Sequence, residues 1–198
     1  MSADPLKALK DRANEGDPHA QFEMGQHHEF GKGTQINHVE AAHWYQKSAS
    51  QGYALAEYAL ALLYQNGRGV EQNMDLAIML YTKAADQGDP WAQNNLGFIY
   101  SHGKGTEVNQ DLASQWYRKA AQQGHFQAQF NIAARYARGE GCDPNLIESH
   151  FWFSRAQFGA SALNQERAKK ALEQLEESMS EEDISRAQRQ FKAFVGES

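Results

Sequence analysis

Chemistry in this sequence would have to come first from "GQHHEFGKGT", Gly25 to Thr34, where His27 and His28 stand beside Glu29 and a Gly31-Lys32-Gly33 turn. His19, Glu23 and His27 are spaced four residues apart, the spacing that stacks side chains on one helical face and could present two imidazoles and a carboxylate to a metal ion. Adjacent His27 and His28 cannot do this together, because neighbouring residues on a helix point about 100° apart. The glycine-lysine-glycine turn suggests phosphate binding, but a phosphate loop needs G-x-x-x-x-G-K-[ST] between a strand and a helix. Here Gln26 and Phe98 occupy the places of the first glycine, and glycine follows both Lys32 and Lys104. Cys142 is the single cysteine, so there is no CxxC site and no intrachain disulfide, and nothing local would activate it as a nucleophile. No Ser/His/Asp constellation can be argued from sequence order, since a triad is defined by geometry.

The elements that must position these residues emerge from a ruler. Gly31/Gly33, Gly67/Gly69, Gly103/Gly105 and Gly139/Gly141 recur every 36 residues, as do Gly16, Gly52, Gly88 and Gly124. Internal repetition at this period is the signature of a stacked helical array. Aligned on the glycines, "HAQFEMGQHHEFGKG", "LAEYALALLYQNGRG", "WAQNNLGFIYSHGKG" and "QAQFNIAARYARGEG" superpose, with Ala20, Ala56, Ala92 and Ala128 four residues before Met24, Leu60, Leu96 and Ile132. The second segments carry Trp44, Leu80, Trp116 and Trp152 beside Tyr45, Tyr81, Tyr117 and Phe153. Both patterns put an apolar stripe on one helical face, which predicts two helices per block.

Asp17 and Asp89 read as N-caps followed by Pro18 and Pro90, and Gly52, Gly88 and Gly124 as glycines closing the second helices. The expected organisation is an N-terminal half repeat over 1–16 opened by Asp4 and Pro5, repeats at 17–52, 53–88, 89–124 and 125–159, and C-terminal capping helices in 160–198. The last block closes one residue early, at Gly159. Ala162 to Glu177 and Glu181 to Val195 read as the capping helices, the second opened by Ser180 and Asp183. The fold class is all-α. Two-helix units cannot bury their own apolar faces and must stack on neighbours.

Composition narrows the function. The chain of 198 residues has a net charge of −6, which disfavours the counterion-releasing contact that nucleic acids require. Mean hydropathy is −0.74. No stretch approaches the roughly 20 apolar residues of a membrane span. The N-terminus has no apolar leader pattern, so the expectation is a cytoplasmic protein without nucleic-acid or membrane partners.

The order A-x-x-x-L-G-x-x-Y-x-x-G-x-G followed by W-Y-x-K-A-A-x-x-G resembles the Sel1-like repeat, a relative of the tetratricopeptide repeat. Ala92, Leu96, Gly97, Tyr100, Gly103, Gly105, Trp116, Tyr117, Lys119, Ala120, Ala121 and Gly124 write it best, and the match covers residues 17 to 159. The resemblance implies a right-handed α-solenoid whose first helices line a concave side, and an adaptor or scaffold role without enzymatic activity or cofactor. In related helical repeats the groove-facing stripe of the first helix runs i, i+3, i+7, i+11. Here it contains His19, Phe22, Gln26, Phe30; Leu55, Tyr58, Leu62, Asn66; Trp91, Asn94, Phe98, His102; and Gln127, Phe130, Ala134, Arg138.

Unlike the core, this stripe changes from block to block. The candidate groove residues are His27, Phe30, Tyr58, Leu62, Asn66, Trp91, Asn94, Asn95, Phe98, His102 and Arg138, centred on Leu62, Trp91 and Phe98, with a peptide or helix of another protein as occupant. Self-association stays open. His28 occupies the slot of Tyr64, Tyr100 and Tyr136, which explains it as a packing ring. Some cysteine-rich members of the family have been linked to β-lactams and cell-wall pieces. The alternative function is therefore a small hydrolase or metal-dependent binder of cell-wall fragments using His19, Glu23 and His27, although one cysteine cannot form the disulfides of those relatives.

Overall fold

The computed structural model describes residues 5–158 and 160–196. Asp4 and Gly159, expected to open the first helix and close the last repeat, lie outside the described residues. Among the described residues there are eleven helices and no strand. The chain divides between Ala92 and Gln93 into two compact units.

In the first unit α1 (Pro5–Asn14) packs on α2 (Pro18–Phe30), α2 on α3 (His38–Ala49), α3 on α4 (Ala54–Asn66), and α4 on α5 (Met74–Asp86). The helix α6 (Pro90–His102) starts in the first unit and lies mostly in the second. The second unit continues with α7 (Gln110–Gln122), α8 (Phe126–Arg138), α9 (Leu146–Gln157), α10 (Ala162–Glu176) and α11 (Glu181–Val195). There α7 packs on α8, α8 on α9, and both α10 and α11 on α9.

Each repeat is held by the same parts. The small-residue stripe Ala20, Ala56, Ala92 and Ala128 is fully buried, and Tyr45, Tyr81, Tyr117 and Phe153 are buried against it. Burying a large apolar side chain contributes roughly 1.5–3 kcal/mol. Gly25 and Gly97 let the rings approach: a Cβ on Gly97 would sit 2.6 Å from Tyr117 Cδ1, and one on Gly25 would collide with Tyr45. Three of the tryptophans lie under cations one turn on, Lys47 over Trp44 at 4.6 Å, Lys119 over Trp116 at 4.0 Å and Arg155 over Trp152 at 4.7 Å.

A second recurrence joins the two helices of each block. Asn37, Asn73, Asn109 and Asn145 are the N-caps of α3, α5, α7 and α9, each accepting backbone N–H groups with its side chain. Their own amides donate to the carbonyls of His28, Tyr64, Tyr100 and Tyr136 at 2.8, 3.0, 2.9 and 2.8 Å. Those turns need left-handed residues, which Gly31, Gly67 and Gly139 supply as C-caps at φ 69, 65 and 68°. Asp17 caps α2 through His19 and Ala20, and Asp89 Oδ1 accepts from Ala92 N at 2.7 Å. The second helices end differently from expectation. Ser50, Gln87 and Gln123 are the C-caps, and Gly52, Gly88 and Gly124 follow one or two residues later with positive φ, because a tight turn there precedes the chain reversal. At the C-terminal cap Ser180 Oγ accepts from Asp183 N at 3.1 Å, as the sequence predicts.

Candidate functional site

The repeats fill one recurrent space in two ways. Beneath the end of the first helix, the hydroxyl of Tyr45 donates to Glu29 Oε2 and that of Tyr81 to Gln65 Oε1, both at 2.6 Å. One block on, Tyr117 is retained but the residue at the position of Glu29 and Gln65 is the shorter Ser101, whose side-chain hydrogen bond with the phenol opposes the effect of burial on it. Ala134 likewise stands where Leu62 and Phe98 stand in earlier blocks. With both side chains cut back, a pocket of about 390 Å³ opens in the second unit, lined by Ser101, Ala134 and Tyr117 and by the polar groups Gln110, Asn131, Arg135, Arg138, Glu140 and His102.

Arg135 dominates this pocket. It occupies the position of Leu63 and Ile99 and is only 4% exposed, yet it carries a guanidinium. Nε donates to Ser114 Oγ at 2.6 Å, and Nη2 donates to the Gln110 carbonyl at 2.8 Å and to Gln110 Oε1 at 2.7 Å. Nη1 faces Glu140 Oε2 at 3.7 Å, beyond hydrogen-bond length. Glu140 is committed elsewhere: Arg138 Nε and Nη2 donate to its two oxygens at 2.5 and 3.0 Å. Burial pulls the Arg135 guanidinium below its ordinary value, with Glu140 opposing the shift. The bond from Arg138 holds the Glu140 carboxyl low and raises Arg138 in return. Burial pushes the Tyr117 phenol up.

Of the residues expected to form a groove, His102 and Arg138 are brought together in this pocket. Phe98 adjoins them, 43% exposed, with its ring centroid 4.3 Å from that of His102. Asn94 and Asn95 are half-buried on the same helix, and Asn94 Oδ1 is enclosed without a hydrogen-bond partner. In the first unit Phe30 is exposed under Lys32 Nζ at 5.6 Å, and Trp91, at the start of α6, is 57% exposed. Leu62 is half-buried, and Asn66 turns its amide back to the Leu62 carbonyl at 2.8 Å. Tyr58 is half-buried and packs on Tyr81 with ring centroids 5.9 Å apart. His27 is apart from the others: it lines a hollow against α1 with Leu6, Leu9, Arg12 and Glu23, and its Nδ1–H donates to the Lys32 carbonyl.

The metal-binding alternative meets a geometric obstacle. His19 is stacked on Tyr53 with centroids 4.5 Å apart, and His27 is drawn to the glycine turn. Among the described residues no three His, Cys, Asp or Glu side chains gather closely enough to hold a metal ion. Cys142 is half-buried and burial raises its thiol pKa, the wrong direction for a nucleophile. No helix among the described residues is long and apolar enough to cross a membrane.

Arg135, Ser101, Gln110 and Glu140 escape an inspection confined to the outward stripe. Their signal lies in departures from the ruler: Arg135 for Leu63 and Ile99, Ser101 for Gln65, and Glu140 where the other blocks have Lys32, Arg68 and Lys104.

The Sel1 repeat model matches residues 18–53, 54–89, 92–125 and 126–156. Among solved structures, a Sel1 repeat protein from Oxalobacter formigenes is 31% identical with a TM-score of 0.74, over 81% of this chain and 66% of that one. A protective antigen of uropathogenic Escherichia coli strains that displays an SLR fold is 28% identical with a TM-score of 0.56, over 97% of this chain and 48% of that one. The chain therefore spans less than two thirds of the length of either. Helicobacter pylori cysteine rich protein B, 20% identical with a TM-score of 0.50 over 63% of this chain and 90% of its own, shares the fold. No curated protein sequence matches the chain. Four consecutive matches to one repeat model, on an all-helical fold shared with these solenoids, establish that the chain belongs to the Sel1 repeat family.

Proposed function

We propose that the chain is a non-enzymatic adaptor that binds a segment of another protein against the outward faces of its first helices. Sel1 repeat proteins are in general protein-interaction scaffolds, and their fold is typically non-catalytic. The observation that carries the proposal is the contrast between a core that repeats and a first-helix face that does not. Trp91 and Phe98 keep large apolar rings in water on that face, next to the polar pocket in the case of Phe98. Exposed aromatic anchors beside polar groups are the usual make-up of binding hot spots. An extended or helical peptide suits such a face, its apolar side chains covering the rings and its backbone meeting Asn94, Asn95 and His102.

Cross-linked capture from the source cells tests this. A partner identified with the wild-type chain should be lost with Phe98→Ala or Trp91→Ala and kept with Met79→Ala, which alters an exposed residue of the second-helix α5. Retention of the partner by both first-helix variants would overturn the proposal.

A further inference from the structure

Resting on that reading of the chain, we propose that the pocket around Arg135 is a subsite for a carboxylate group of the bound segment. Arg135 is buried and held on two of its three nitrogens, by Ser114 and Gln110, so Nη1 is fixed in place beside the pocket, with the Glu140 carboxylate facing it at 3.7 Å. An anionic acceptor that came within hydrogen-bond distance of this fixed guanidinium edge would gain a charge-assisted bond that Glu140, at 3.7 Å, does not make. Asn131 adds a second donor on the pocket wall: its Oδ1 accepts from Gln127 Nε2 at 3.0 Å, which leaves Nδ2 for an incoming oxygen. Ser101 and Ala134 create the room, about 390 Å³, at the small end of the ~300–1,000 Å³ of ligand pockets.

The charges select the ligand. Arg135 and Arg138 against Glu140 leave one positive charge in excess, on a chain whose net charge is −6. A monoanion neutralises that excess. A dianionic phosphate would overshoot it and meet the Glu140 carboxylate, 3.7 Å from Nη1. A carboxylate matches the fork of a guanidinium and gains charge-assisted hydrogen bonds there. It can be the C-terminal α-carboxylate of a partner or an internal Asp or Glu side chain.

The test uses the full-length 15N-labelled protein titrated with four probes, following the backbone amides of Asn131 and Arg138. N-acetylglycine offers an α-carboxylate, N-acetyl-aspartyl-N-methylamide a side-chain carboxylate, N-acetylglycinamide neither, and inorganic phosphate a competing anion. Saturable shifts with one or both carboxylates and none with the neutral amide are expected, and the tighter carboxylate identifies the source. Arg135→Leu, which restores the residue of the second block, should weaken binding about 10- to 100-fold. Glu140→Gln, which removes the competing carboxylate, should strengthen it about three- to tenfold. Absence of saturable shifts, equal response to the neutral amide, indifference to both substitutions, or tighter binding of phosphate would each overturn the assignment. Capture that depends on Phe98 while the probes fail removes the subsite alone. Probe binding without dependence of any partner on Phe98 or Trp91 removes the adaptor reading and leaves a carboxylate site.

Discussion

Leu63 and Arg135 occupy the same position of the repeat, two blocks apart, and both are buried, at 1% and 4% exposure. One is dry packing and the other a guanidinium tied to three oxygens. The backbone tolerates both because the surroundings change together. Around Arg135 stand Gln110, Ser114 and Glu140, where the corresponding residues two blocks earlier are His38, Ala42 and Arg68. Gly69 and Gly141 bring the turn to the preceding second helix in both cases, with the His38 and Gln110 carbonyls as the nearest atoms. The repeat is thus a frame whose side chains can be exchanged as a set.

Breaking the set should cost most. Leu63→Arg places a charge at a buried position where Ala42 and Arg68 stand in place of Ser114 and Glu140, and should lower stability by about 3 kcal/mol or more in denaturant unfolding. The reverse exchange, Arg135→Leu, should cost no more than about 1–2 kcal/mol, since an apolar residue of similar volume can replace a buried ion at little loss. Equal losses from the two exchanges would show that the surroundings of Arg135 are not matched to its charge. Gly97→Ala forces the Tyr117 ring away from α6 and should cost about 1–3 kcal/mol, with a lower Tm, although alanine is native at the same position in Ala61 and Ala133. Tyr81→Phe removes a hydroxyl that donates to Gln65 Oε1 and should cost about 1 kcal/mol.

The smallest effect concerns a cap. Asp89 caps α6, but at the start of α8 the residue is His125, whose Nδ1 accepts from Ala128 N at 3.2 Å and must be unprotonated to do so. Burial lowers its pKa from the ordinary 6.5. The folded state therefore binds the proton less readily than the unfolded chain. The contribution of this cap is complete above pH 6.5 and is lost as pH falls through the lower folded value. Thermal unfolding at pH 7 and pH 5 should show that loss, and His125→Asp should flatten it.

Much of this molecule is legible in its sequence, and for a physical reason. Stacked repeats reuse local signals, so Gly31 and Gly67, Asp17 and Asp89, and the aromatic pair led by Trp44 and Tyr45 announce turns, caps and core without tertiary information. Helix ends blur where Gly52 sits past the cap rather than on it, since the αR residue Ser50 closes the helix equally well. The site is less legible. His102 and Arg138 lie on the stripe the sequence suggests, but Arg135 lies on the buried face, and only its partners on α7 and in the following turn reveal why a charge is tolerated there. His27 shares the spacing of a metal ligand with His19 and Glu23, yet its ring is claimed by the Lys32 carbonyl, a contact made by the turn and invisible to helical periodicity.

The most direct test of the adaptor is site-specific photo-cross-linking in the source cells, with p-benzoylphenylalanine placed in turn at Phe98 on the first-helix face and at Met79 on the second. One protein partner cross-linked from position 98 and not from 79 is the expected result, and its cross-linked peptide should carry a carboxylate near the point of attachment. Cross-linking of that partner from position 79 alone would contradict the account.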